Sequence, residues 1–235
     1  MTAEVPGYEY IAERDRRWRA IVDRFCVLDA TNEADAVVPR LVGAGVRRAI
    51  EVGSHWGPVA ERLAPHGVET VCVELDAAVV RLAHRPAVRA TAASLPFAGA
   101  SVDAVTALNV LYFLARPTEA VAEAHRVLRP GGIFVACTQM RDNDPELREV
   151  APGWGAPGTF DGDNAEAVVR TVFEDAVAEP WDLVAYRLPD RDAIAEYLAV
   201  FYKLPEEEAR RRAATLAAPL TVTKRGVFLW ANKTT

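Results

Sequence analysis

Ten residues constrain this chain more than any others: Arg48-Ala49-Ile50-Glu51-Val52-Gly53-Ser54-His55-Trp56-Gly57. A short apolar strand runs straight into a glycine-bearing turn, and the helix-forming run Pro58 to Leu63 follows. The glycines let backbone come close to a ligand. The free N–H groups of a helix start attract a carboxylate or phosphate. Strand, tight turn and helix start, in that order, make a cradle for a nucleoside-type ligand.

The pattern repeats downstream. Thr70–Glu74 is a second buried strand that ends in an acid, Val88–Thr91 a short third, Val102–Asn109 a fourth and Ile133–Cys137 a fifth. Helices are predicted from Ala77 to His84 and from Thr118 to Leu128, the second terminated by Pro130-Gly131-Gly132 just before the fifth strand. Strands alternating with helices of this length predict βαβ units and a parallel sheet. Two further helical patterns, Tyr8–Phe25 and Glu33–Val42, precede the first strand, and Gly43 and Gly45 stop the second of them.

After Cys137 the rhythm changes. The stretch from Arg141 to Asn164 holds too many Pro and Gly residues for a regular element. A helix from Ala165 to Ala176 restores order. Trp181–Leu188 and Thr221–Ala231 read as strands, with helical patterns at Arg191–Phe201 and Glu206–Leu216 between them. Lacking simple βαβ spacing, these two strands predict an antiparallel addition at the sheet edge. The expected fold is α/β: a mostly parallel seven-stranded sheet, helices on both faces and an antiparallel terminal strand. Residues 1–235 are expected to form a single domain, with a helical cap over 1–45 and a helical insertion over 189–219.

Composition narrows the partners. A chain of 235 residues can bury a sizeable core. Its net charge is −6, and the arginines at 14, 16, 17 and 19 are interleaved with Glu9, Glu13, Asp15 and Asp23. That is a solvated helix face and not a phosphate track, so nucleic acid is not an expected partner. No apolar run approaches the ~20 residues that cross a bilayer, and no signal segment opens the chain, so no membrane is expected. Cys26, Cys72 and Cys137 are far apart, without metal-ligand spacing, and a reducing cytoplasm fits. No metal site is expected, and His66, His84 and His125 read as structural or solvated.

Five segments in order now carry a resemblance: Glu51-Val52-Gly53-Ser54-His55-Trp56-Gly57, Val73-Glu74-Leu75-Asp76, Leu95-Pro96-Phe97, Ser101-Val102-Asp103-Ala104-Val105 and Arg126-Val127-Leu128-Arg129-Pro130-Gly131-Gly132. Together they resemble the class I S-adenosylmethionine-dependent methyltransferases, from Arg47 to Cys137 in motifs and to the C-terminus in layout. The resemblance implies a Rossmann-like sheet, S-adenosylmethionine as cofactor and S-adenosylhomocysteine as product. Glu74 follows Gly53 at about the ~20-residue offset of an acid that accepts both ribose hydroxyls in a dinucleotide-type fold. By resemblance, Glu51 helps hold the cofactor's amino group. Gly53 and Gly57 pass beside the methionine moiety, and the helix at Pro58 aims N–H groups at its carboxylate. Thr91-Ala92 resembles the stretch that reads the adenine edge, with Leu75 and Leu95 packed on the ring. Asn109 resembles the residue beneath the methyl donor.

Two positions depart from the family pattern. His55 stands where the middle glycine usually is, and Thr91 where an acid often receives the adenine amino group. Either the turn keeps negative φ at His55 and tolerates the side chain there, or cofactor affinity falls; the first is expected. An NAD-dependent dehydrogenase also uses a glycine turn and a distal acid. Its G-x-G-x-x-G fingerprint is not met, because neither the second nor the third glycine falls in place.

The expected activity is methyl transfer to a small molecule through an oxygen, nitrogen or carbon nucleophile, mainly by positioning and desolvation. Positioning alone can contribute up to ~7–11 kcal/mol. No catalytic residue is assigned. The acceptor pocket should lie over the carboxyl ends of the strands. Its candidate contacts are Tyr8, Tyr10, Tyr112 and Trp154; Phe160, Tyr197, Phe201 and Tyr202 are further covering aromatics, and Trp18 reads as core. An RNA or protein methyltransferase, or a non-methylating cofactor-binding relic of the fold, is the alternative. The oligomeric state is left open.

Overall fold

Along β1 (Arg48–Val52), Ala49 joins one apolar cluster while Ile50 and Val52 join another. A strand buried on both faces needs helices on both sides of its sheet. The computed structural model, which describes residues 12–27 and 33–234, supplies them. On the Ala49 face lie α2 (Glu33–Gly43) and α3 (Pro58–Leu63), whose Val37, Leu41, Val59 and Leu63 are fully buried. The Ile50 face is covered by α5 (Pro117–Val127) and α6 (Ala165–Arg170), through Val121, Ala124 and Val169.

The remaining strands are β2 (Glu69–Glu74), β3 (Ala87–Arg89), β4 (Val102–Leu108), β5 (Leu128–Gln139), β6 (Val177–Leu188) and β7 (Leu220–Asn232), with α4 (Ala77–Leu82) between β2 and β3. Their order is β3-β2-β1-β4-β5-β7-β6. The first five run parallel, while β7 is antiparallel to both β5 and β6. This is the seven-stranded Rossmann-like sheet that the sequence predicts. Strand order reverses between β1 and β4, and open α/β sheets bind ligands at that switch point.

The β6–β7 ribbon does more than close the sheet. Gln139, the last residue of β5, pairs with Gly226, so Leu220 to Arg225 run on past the carboxyl edge of the parallel strands. There the ribbon carries α1 (Ala12–Phe25), α7 (Arg191–Phe201) and α8 (Glu206–Ala213). Ile21, Tyr197, Leu198, Ala209 and Ala213 pack with Ala185, Leu188 and Val222 into a second core above that edge.

Three local readings need correction. Pro130-Gly131-Gly132 lies inside β5, which already starts at Leu128; the ladder with β4 shifts register there as a bulge. Gly131 has φ +77°, and its N–H donates to the Lys233 carbonyl at 2.7 Å. Helix α6 stops at Arg170, short of Ala176, and the Thr171 hydroxyl donates back to the Val168 carbonyl at 2.7 Å. Strand β6 begins at Val177, before Trp181, because a strand with one open edge tolerates Pro180. Among the described residues, no helix is long and apolar enough to cross a membrane.

Candidate functional site

A cleft of about 1950 Å³ opens over the ends of β1, β2, β4 and β5, beneath the overhanging ribbon. Pockets for one small ligand are typically ~300–1000 Å³, so this one has room for two ligands side by side. Its wall includes Glu51, Gly53, His55, Glu74, Leu75, Thr91, Ala92, Asn109, Tyr112 and Trp154. Tyr8 and Tyr10 lie outside the described residues.

Gly57 and Leu95 are placed elsewhere. Gly57 is buried with φ +88°, and a Cβ there would stand 2.7 Å from His84 Cβ and 2.9 Å from Cys72 Sγ. Close packing of the turn on β2 and the end of α4 demands that glycine. Leu95 is a core residue with Ile50, Val52 and Val73, and its N–H donates to Glu123 Oε2 at 2.8 Å.

The turn itself is left-handed at two further positions. Gly53 has φ +63°, and a Cβ there would fall 2.3 Å from Val110 Cγ2. Left-handed backbone costs a side-chain-bearing residue about 1–2 kcal/mol, and overpacking a further ~1–3 kcal/mol. Gly53→Ala should therefore lose about 3 kcal/mol of stability in urea unfolding; a loss below about 1 kcal/mol would contradict the close packing on Val110. His55 has φ +51°, so the expectation of negative φ is wrong. Glu74 explains it: its Oε1 accepts the His55 N–H at 2.7 Å and holds the turn in that conformation. The neighbouring Trp56 ring packs 5.5 Å from Trp18 and lies beneath the Arg19 guanidinium. Trp18 thus belongs to the cap core and to the cleft wall at once.

Glu51 and Glu74 sit at the ends of neighbouring strands, both nearly buried. Glu51 accepts the N–H groups of Val59 at 3.1 Å and Ala60 at 2.8 Å, capping α3 from β1. Those two amides are therefore engaged within the protein, contrary to the expectation that they face a ligand carboxylate. Burial pushes the Glu51 carboxyl up to about 7, against the pull of the two amides. The folded state then holds this proton more tightly than the unfolded chain. Stability from this group is complete below the ordinary 4.5 and declines as pH rises from 4.5 to 7, by at most about 3 kcal/mol. Wild-type melting temperature should fall between pH 5 and pH 8. Glu51→Gln should flatten that slope, and an unchanged slope would refute the assignment.

Glu74 is likewise raised by burial, opposed by bonds from His55 N–H and from Leu75 N–H at 3.1 Å. Beside it Leu75 is 45% exposed, an apolar side chain open to the cleft. At the end of β4, Asn109 has φ +53°, and its N–H donates to the Cys137 carbonyl at 2.9 Å. Its Nδ2 donates to Glu33 Oε1 at 2.7 Å, while its Oδ1 is buried without a hydrogen bond among the described residues.

Residues 50–136 match the family model described as a methyltransferase domain. A malonyl-acyl-carrier-protein O-methyltransferase from Enterobacter lignolyticus is 30% identical over 49% of this chain and 48% of its own length. An uncharacterized methyltransferase from Mycobacterium bovis is 34% identical over 43% of this chain and 44% of its own. The chain spans less than half the length of these relatives. Among solved structures, a putative methyltransferase from Bacillus halodurans superposes with TM-score 0.62 at 14% identity, covering 85% of this chain and 98% of that one. The (4+2)-cyclase SpnF superposes with TM-score 0.64 at 17% identity, over 94% and 93%. Residues 50–136 thus match a methyltransferase domain, and the chain as a whole shares the fold of the solved methyltransferases.

The cleft has a second end that the sequence did not reveal. Asp144, buried with φ +55°, accepts from Tyr197 OH at 3.1 Å and Tyr202 OH at 2.8 Å. The Lys224 ammonium lies 2.9 Å from its Oδ2 and 2.8 Å from its Oδ1. Lys224 also stands 4.7 Å from the centre of the Phe201 ring. The only sequence trace of this cluster is a lysine in a strand otherwise built for burial. Tyr112 and Trp154 stand on the same wall. Trp154 Nε1 donates to the Asn143 carbonyl at 2.7 Å, and the Tyr112 carbonyl accepts from the Thr159 hydroxyl at 3.3 Å.

Proposed function

We propose that the protein transfers the methyl group of S-adenosylmethionine to a small-molecule acceptor, chiefly by positioning the two and excluding water. The observation that carries this is one continuous cleft. It has a carboxylate and a glycine turn clasped together at one end, and an aromatic, charge-paired wall at the other. The residues present fit the cofactor. Glu74 offers two carboxylate oxygens to the ribose hydroxyls, Leu75 and Ala92 flank a flat ring, and the Thr91 hydroxyl can meet its edge. Glu51 and Gly53 border the amino-acid tail, and the unpartnered Asn109 Oδ1 calls for a polarised hydrogen or cation from a ligand. When bound, the cofactor supplies a methyl group already activated by its positive sulfur. The protein's own task is alignment in a site screened from water by the ribbon and its helices.

The acidic net charge and the roofed chamber support a small acceptor. Calorimetric titration with S-adenosylmethionine and S-adenosylhomocysteine tests the first half. Micromolar binding is expected, and none at millimolar ligand would overturn it. Incubation of a cell extract with methyl-labelled cofactor tests the second half. Label is expected in the small-molecule fraction; label only in RNA or protein would overturn the small-acceptor reading.

A further inference from the structure

Glu33, the first residue of α2, reaches across to the end of β4, where it accepts from Asn109 Nδ2. This is more than a helix-end contact. A carboxylate obliges the donor side of the amide to face it, so Asn109 Oδ1 is turned away, buried and left without a partner among the described residues. The Asn109 backbone is left-handed, with φ +53°. Both residues line the cleft beside β1, at the point where strand order reverses. The surrounding charge is one-sided. Lys224 attracts Glu33, but its ammonium already bonds Asp144. Among the described residues, Cys137 and Tyr186 also feel Glu33, and burial holds both protonated above their usual range. Burial outweighs the attraction and raises the Glu33 carboxyl above its ordinary value, which suits it to take up a proton.

Resting on the cofactor reading above, we propose that Glu33 receives the proton of the methyl acceptor while Asn109 Oδ1 orients the same group. The acceptor is then an N–H or O–H nucleophile, neutral or cationic, and not a carboxylate. The sulfur joins the cofactor's ribose to its amino-acid tail, so the groups that hold those two ends, Glu74 and the glycine turn, put the methyl beside β1, one strand from Asn109. The acceptor's lone pair forms the new bond to the methyl carbon. The carbon–sulfur bond breaks with its electron pair going to sulfur, leaving a neutral thioether. The acceptor's N–H or O–H proton passes to a Glu33 carboxylate oxygen and later to solvent.

The test uses sinefungin, the cofactor analogue in which a carbon bearing an amine replaces the methylated sulfur. Its ammonium occupies the place where acceptor, methyl and Glu33 meet. Calorimetry at pH 8 should show the wild-type protein preferring sinefungin to S-adenosylhomocysteine at least ~10-fold, as a charge-assisted hydrogen bond warrants. Glu33→Gln should reduce that preference to within about twofold, with S-adenosylhomocysteine affinity nearly unchanged. In a His55→Gln background, which removes the one imidazole from the described cleft wall, the preference should also shrink from pH 8 to pH 5; protonation of Glu51 or Glu74 affects both ligands alike and cancels in the ratio. This arm decides the matter if Glu33→Gln does not fold. Equal wild-type affinities, or a preference that survives Glu33→Gln and low pH, would overturn the proposal. A wild-type protein that binds neither ligand would instead bring down the cofactor reading and this proposal with it.

Discussion

Asp144→Ala is expected to lower the melting temperature by about 10 °C, the largest stability loss of any single change in the cleft. The reason is what it leaves behind. Asp144 is the shared acceptor for Lys224, Tyr197 and Tyr202, all within 3.1 Å. Removing it strands a buried ammonium among Tyr186, Tyr197 and Phe201. Breaking one side of a buried ion pair typically costs about 3–5 kcal/mol. At this chain length each kcal/mol shifts the midpoint by about 2–4 °C. The pair itself need not be stabilising, since an apolar replacement of both partners is often neutral or better. Asp144→Ala combined with Lys224→Met should therefore recover most of the loss. Scanning calorimetry on the three proteins decides it, and a double variant no more stable than the single would show that the stranded charge is not the cause.

Glu74→Ala should weaken S-adenosylhomocysteine binding by about 100-fold or more, with a smaller effect on stability. Hydrogen bonds to a charged acceptor contribute about 1.5–3 kcal/mol each, and a ribose offers two hydroxyls. The same change releases the His55 N–H, which Glu74 holds at 2.7 Å, so the glycine turn loses its grip as well. Glu74→Gln keeps one acceptor oxygen and should fall between. Calorimetric titration distinguishes these values; an alanine variant that binds as tightly as the wild type would remove Glu74 from the site.

The parallel half of the fold is legible in sequence because each strand is a run that must be buried on both faces. β1, β2, β4 and β5 sit within a few residues of their predicted positions. Pattern reading fails where distant parts of the chain set local conformation. The φ of His55 follows from a carboxylate 19 residues later, against the usual preference of a residue with a Cβ. Leu95 belongs to a recognisable motif, yet it serves the core. Glu33 pairs with Asn109 across 76 residues and Lys224 with Asp144 across 80, and no periodicity marks such pairs. Ten of the predicted contact residues line the cleft because they terminate strands or belong to its surrounding loops, positions that spacing does reveal.

The overhanging ribbon divides the molecule's responsibilities along the chain. The segment shared with the family model ends at residue 136, whereas Asp144, Trp154, Tyr202 and Lys224 all come after it. On the proposed reading, the donor is held by residues before 137, while the acceptor end draws on both stretches: Glu33, Asn109 and Tyr112 from the first, Trp154, Tyr202 and Lys224 from the second. Under the proposed function, such a layout lets acceptor preference drift through residues 137–235 while the donor grip stays intact. A chimaera carrying a sister enzyme's residues beyond the fifth strand is the natural route to redirecting it.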